Sequence, residues 1–162
     1  MNRLKLFVMF LLLTASNLTW ARPCDQRANY LEVDLNQSQL YLCSNLHLMK
    51  AYTVSFGRGG TDKHIQGDSR TPIGRYRLGA PRESERFFIF IPIGYPTAQQ
   101  KAQGYTGGDV GLHGPIDYLN WIGDLNTWVN WTDGCVAVAN EYEISEIATW
   151  VRQGHIGWIV IH

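Results

Sequence analysis

The chain has three cysteines, and Cys135 stands apart from the other two in the stretch NWTDGCVAVAN, just after a glycine. A thiolate is a strong nucleophile, but a free thiol is mostly protonated near neutral pH and needs a neighbouring base or positive charge. Acyl chemistry at such a thiol also needs hydrogen-bond donors for the oxyanion of a tetrahedral intermediate. Gly134 has a backbone N–H with no side chain in the way, so the amides of Gly134 and Cys135 are the candidate donors. Five histidines could serve as base: His47, His64, His113, His155 and His162. His113, in GLHGP, ends an apolar run where Gly114 and Pro115 turn the chain, which suits a histidine facing a cleft. On spacing alone, a single Cys or His is more often a packing residue than a catalytic one. Metal chemistry is not expected, because the cysteines and histidines are scattered, with neither C-x-x-C nor H-x-x-x-H spacing.

The remaining cysteines bear on compartment. The first 21 residues have a basic start (Arg3, Lys5), an apolar run from Leu6 to Leu13 and an ending in TWA. That is the pattern of a secretory signal peptide cleaved after Ala21; an uncleaved anchor is the alternative. Cleavage would leave residues 22–162 as a single domain of 141 residues, with 12 basic against 14 acidic side chains, net −2. Such a balance gives no basic surface for a nucleic acid. Export permits disulfides. Cys24 and Cys43 would close a loop of about 20 residues, and two separate buried thiols are the other reading. With that bridge made, Cys135 is the thiol left over, either for intermolecular pairing or for reaction.

The elements that must position these residues read mainly as strands. YLEVDLNQSQLYLC alternates apolar residues on both sides of Asn36–Ser38, a hairpin pattern. AYTVSFG, GRYRLG, FFIFIPIG, DVGLHG and GWIVIH are further short strand candidates, and CVAV is a short strand or turn. One helix is well marked: Asn140 as cap, Glu143 three residues on, the stripe Ile144, Ile147, Ala148 and Val151, and Gly154 as stop. A shorter helix is expected through TAQQKAQ, with Pro96 at its first position and Gly104 at its end. The long Gly- and Asp-rich segment GRGGTDKHIQGDSRTPIG is of the kind that often carries function.

Several of these stretches together resemble the catalytic domain of the L,D-transpeptidases (YkuD-like). His113 and Gly114 match that family's His-Gly pair. Thr132, Gly134, Cys135 and Asn140 match its Ser/Thr-x-Gly-Cys block, which ends near an Asn. GDSRTPIGRYRL resembles the Thr-Pro-x-Gly-x-Tyr segment that precedes them, and IGYPTAQQKAQG the family's middle region. The resemblance runs from about Tyr30 to His162.

It implies a mainly β domain, sandwich- or barrel-like, with one main helix and a short second one. Such a domain is exported to the periplasm or cell wall and acts on peptidoglycan stem peptides without a cofactor. Cys135 would be the nucleophile and His113 the general base and acid. Gly114 would orient the imidazole through its carbonyl, and Gly134 and Cys135 would form the oxyanion hole. Transfer to an amine would make a crosslink or attach a protein. Transfer to water would be L,D-carboxypeptidase activity or amidase-type hydrolysis of a crosslink or lipoprotein tether, and a non-catalytic peptidoglycan-binding module is the reading from another class. Oligomeric state is not indicated.

Two positions depart from the commoner family pattern: Asp133 where many members have His, and Ala137 where many have Arg. An ionised Asp133 would raise the thiol pKa by like-charge repulsion. Its side chain either points away or binds the amine of a diaminoacid. Trp121, Trp128 and Trp131 are expected to support a loop over the cleft.

Overall fold

The computed structural model describes residues 22–162, with backbone only for 117–120. The expected signal segment, 1–21, lies outside the described residues. Among those described, no helix is long and apolar enough to cross a membrane.

The first hairpin forms where the alternation places it. β1 (Asn29–Asp34) pairs antiparallel with β2 (Gln39–Ser44), with Tyr30 opposite Cys43 and Asp34 opposite Gln39. The Asp34 carboxylate accepts the N–H groups of Asn36 and Gln37 at 2.9 and 3.0 Å, which closes the turn. Both faces of β1 are covered. Leu31 and Val33 enter the main core, whereas Tyr30 packs with Tyr41 and the Cys24–Cys43 disulfide in a second, smaller cluster.

The remaining strands are β3 (His47–Ser55), β4 (Gly74–Arg77), β5 (Arg82–Ser84), β6 (Phe88–Pro92), β7 (Gly111–His113), β8 (Val136–Val138) and β9 (Trp158–Ile161). They join in one nine-stranded sheet of order β4-β9-β1-β2-β3-β8-β7-β6-β5. β3 is the shared strand: its first part pairs with β2, and Val54 and Ser55 pair with β8. The sheet curls until its ends meet. Leu78 bridges to Ile93, Gly79 N–H donates to Pro92 O, and Gly94 N–H donates to Arg77 O, both at 2.8 Å. The mainly β, barrel-like expectation therefore holds. β5 was not foreseen, because ESERFF lacks the alternation of a half-buried strand.

The main helix, α2 (Glu141–Gln153), has Asn140 as its cap; the side chain accepts Glu143 N–H at 3.0 Å. Glu143 reaches one residue further back than a capping box would, to Ala139 N–H. Ile144, Ile147, Ala148 and Val151 are buried in the core, as their spacing requires. The short helix, α1 (Ala98–Ala102), is capped by Thr97, whose hydroxyl accepts Gln100 N–H while Gln100 returns the bond. Pro96 therefore precedes the cap and is not the first helical residue. Residues 117–127, between β7 and β8, form a 3-10 segment kinked at Gly123.

The disulfide closes a loop of 19 residues' separation around the first hairpin. The double variant Cys24→Ser/Cys43→Ser should lose about 3 kcal/mol in urea unfolding, from loop-closure entropy. A loss below about 0.5 kcal/mol would mean that the hairpin is held by its packing alone.

Candidate active site

The residues that carry the candidate chemistry meet through one strand pairing. β7 and β8 run parallel, with Leu112 beside Val136 and His113 beside Ala137. Continued by one residue, this register sets Gly111 beside Cys135. Alternation sends Leu112, Val136 and Val138 into the core and leaves His113 and Cys135 on the opposite face. There both line a cleft of about 480 Å3, together with Arg58, Arg82, Arg86, Phe87, Asp109 and Trp131. Gly111 has to lack a side chain, since a Cβ would lie 2.2 Å from the Phe90 ring. Its backbone amide sits close enough to the Cys135 thiol to favour the thiolate.

His113 is 1% exposed. Its Nδ1 lies 2.6 Å from Gly114 O, so Nδ1–H donates and Nε2 carries the lone pair of a base. The ring stacks on Phe87 with centroids 3.9 Å apart, and Trp131 lies against it at 5.8 Å. Gly114 is confined as well: a Cβ would meet Phe87 O at 2.8 Å and Ile144 Cγ2 at 3.0 Å. Burial, then the nearby Arg86 charge, push the imidazole down to about 4, against the hydrogen bond to Gly114.

Cys135 is the free cysteine among the described residues and is half-buried. Its thiol donates to Asp109 O at 3.6 Å. Burial pushes the thiol up to about 11, opposed by the Gly111 amide and reinforced by the charges of Asp133 and Asp109. The resting pair is therefore a neutral thiol and a neutral imidazole.

The turn before Cys135 is built from polar pins. The Thr132 hydroxyl donates to Cys135 O at 2.7 Å and accepts Gly134 N–H at 3.2 Å. Thr71, fully buried, donates from Oγ1 to Gly134 O at 3.0 Å and accepts Gly57 N–H at 2.9 Å. Gly134 has φ +124°, and a Cβ there would lie 2.5 Å from Arg70 O, so only glycine fits. Its amide, one of the two candidate oxyanion donors, is thus engaged by Thr132 in the resting state.

Asp133 is exposed at the rim. It pairs with Arg58 Nη2 at 2.8 Å and accepts from Ser69 Oγ at 3.0 Å, so its carboxylate is occupied from the neighbouring loop. Asn140 does not line the cleft: its side chain is spent on the α2 cap. Ala137 is completely buried, beside Ser55 and His113 in the ladder. The other histidines lie elsewhere. His64 stacks on Tyr105, His162 meets Glu32, and His47 and His155 are exposed.

The tryptophans divide. Trp131 lines the cleft, but Trp121 and Trp128 are 83% and 78% exposed and are not among the residues that line it. Polar bonds hold their segment instead: Asn126 to Ala139 O, Ser55 to Val129 O and Phe56 N–H to Asn130. Sequence reasoning also missed Arg58, Arg82, Arg86 and Phe87 as cleft residues, because nothing local marks a charged hairpin that faces a distant cysteine.

With this geometry in view, comparison with known proteins places the chain. A sequence model of the L,D-transpeptidase catalytic domain (YkuD) matches residues 28–161, and the chain belongs to that family. Curated protein sequences gave no match. Among solved structures, the fold is similar to Pgp2, a helical cell shape determining protein from Campylobacter jejuni. The TM-score is 0.67 at 20% identity, covering 85% of this chain and 48% of that one. Bd1075 from Bdellovibrio bacteriovorus gives 0.59 at 22% identity, covering 83% and 47%. The catalytic domain of the E. faecium L,D-transpeptidase gives 0.56 at 13% identity, covering 85% and 99%. The chain thus spans about half the length of the first two and nearly all of the isolated catalytic domain.

Two outcomes follow from the electrostatics. Without substrate, alkylation of Cys135 by iodoacetamide should keep accelerating with pH up to about 11, and Asp133→Asn should move that rise to lower pH. A plateau reached near about pH 7 would indicate a thiolate–imidazolium pair instead. The folded imidazole takes its proton only near 4, against 6.5 for an ordinary histidine. Stability linked to His113 is therefore full above pH 6.5 and falls as pH drops toward 4. Urea titrations of His113→Gln should show a flatter profile across that interval.

Proposed function

We propose that the protein is an exported cysteine L,D-transpeptidase acting on peptidoglycan stem tetrapeptides. The observation that carries this reading is the pairing of β7 with β8, which puts Cys135 and an Nε2-basic His113 in one cleft. Family membership supports the substrate class, and the Cys24–Cys43 disulfide supports an oxidising compartment. The likeness to the cell shape determining protein of Campylobacter jejuni supports a role in cell shape.

The neutral pair dictates the order of proton transfers. As Cys135 Sγ attacks the carbonyl carbon of the diaminoacid, its proton passes to His113 Nε2. The imidazolium so formed is held by the Gly114 carbonyl, which accepts from Nδ1. The oxyanion takes the Cys135 amide and, once it leaves Thr132 Oγ1, the Gly134 amide. The carbon–nitrogen bond then breaks, His113 returns the proton to the departing D-alanine amine, and a thioester remains. An acceptor amine gives its proton to His113 and attacks the thioester. The carbon–sulfur bond breaks and the thiolate recovers the proton. No step needs a metal or a cofactor.

Intact-mass analysis after incubation with a carbapenem should show one covalent adduct, absent from Cys135→Ala. His113→Asn should slow acylation by about 100-fold or more, the usual worth of a positioned general base. With disaccharide-tetrapeptide as substrate, the expected product is the crosslinked dimer. Tripeptide without dimer would make the protein an L,D-carboxypeptidase. No adduct and no turnover would leave a binding module.

A further inference from the structure

The β5–β6 hairpin brings a wall of cations to the cleft. Arg82 at the start of β5 and Arg86 in the turn after it both line the cleft with Cys135 and His113, while Glu83 and Glu85 line a different surface depression, with Ser84 between the two. Aromatic faces, not carboxylates, hold both guanidinium groups: Arg82 lies 4.9 Å over Phe90 and Arg86 5.0 Å over Phe87. Among the described residues neither arginine makes an ion pair, whereas the third cleft arginine, Arg58, is taken by Asp133. The supporting rings are themselves part of the site. Phe87 stacks on His113, and Phe90 lies beside both Phe87 and His113. Beyond burial, the Arg86 charge bears on both candidate catalytic groups, lowering the pKa of each.

A guanidinium is built to bind a carboxylate through two parallel N–H bonds. In the proposed reaction, the residue expelled by Cys135 carries a free α-carboxylate one residue beyond the scissile carbonyl. We propose that Arg82 and Arg86 bind this terminal carboxylate, so that the protein selects donor peptides ending in a free carboxylate immediately after the bond to be cut. The two arginines are specificity-determining residues of the donor site, with the leaving residue lying along the β5–β6 wall. This assignment rests on the transpeptidase reading for the identity of the donor.

The test compares the stem tetrapeptide with its C-terminal carboxamide. Both keep the internal carboxylates of the stem, so the comparison isolates the terminal group and its single charge. Binding to the Cys135→Ala protein, measured by calorimetry, needs no turnover. The free acid should bind at least about 10-fold more tightly than the amide, as expected of a charge-assisted pair. Adding Arg82→Gln and Arg86→Gln should bring the two affinities together by weakening the acid alone; Arg82→Lys and Arg86→Lys should restore part of the preference. Equal affinities for acid and amide, or equal weakening of both by the glutamine variants, would overturn the assignment. Turnover of the acid by the unmodified protein reports separately on the transpeptidase reading, so the two can fail independently.

Discussion

The parallel pairing of β7 and β8 is the constraint on which the site depends. Two three-residue strands far apart in sequence lie side by side, so their register alone sets where His113 stands relative to Cys135. Slipping that register by one residue would turn one of the two side chains into the core, because successive residues face opposite sides of a sheet. The register is held from below by Leu112, Val136 and Val138, all fully buried. It is held from above by the fit of Phe90 over Gly111 and of Phe87 on the His113 ring. The hydrophobic core and the candidate chemistry are therefore two faces of the same few residues.

Around that pairing, polar groups fix what packing leaves free. Thr71 and Thr132 come from distant segments, yet both are buried and both bind the backbone of the turn at Gly134. Unpaired hydroxyls and amides would be costly there, so each bond also excludes other loop geometries. The Lys63–Asp68 pair does comparable work in the adjoining loop. Lys63 is 4% exposed, and its ammonium meets Asp68 at 2.5 Å and Ile65 O at 3.1 Å. That loop carries Ser69 and Thr71, so its internal order reaches the rim residue Asp133 and the turn before Cys135.

Burial favours the uncharged form of both candidate catalytic groups. Burial works in opposite directions on an acid and a base: it raises the thiol and lowers the imidazole. A thiol so protected resists adventitious oxidation, since the thiolate is the reactive form. In the proposed mechanism, the proton then moves only in step with attack on the carbonyl.

Much of this was legible in the residues themselves. Alternation and turn residues specify the first hairpin, and the Asn140 cap with its apolar stripe specifies α2, because backbone bonding and side-chain period are local properties. The odd cysteine was legible by count, since Cys24 and Cys43 can pair, and His113 stood out by the Gly-Pro turn beside it. The roles of other residues depended on partners remote in the chain. Asp133 meets Arg58 and Ser69, Asn140 is used up by its helix, Trp121 and Trp128 face outward, and Arg82 and Arg86 reach the cleft from a hairpin with no distinctive pattern. The sequence by itself thus determined a β-rich domain with one thiol left over as a candidate nucleophile and a shortlist of bases. Only the tertiary structure decided which base shares its cleft and which charges surround it, because non-local strand register, not local preference, sets those distances.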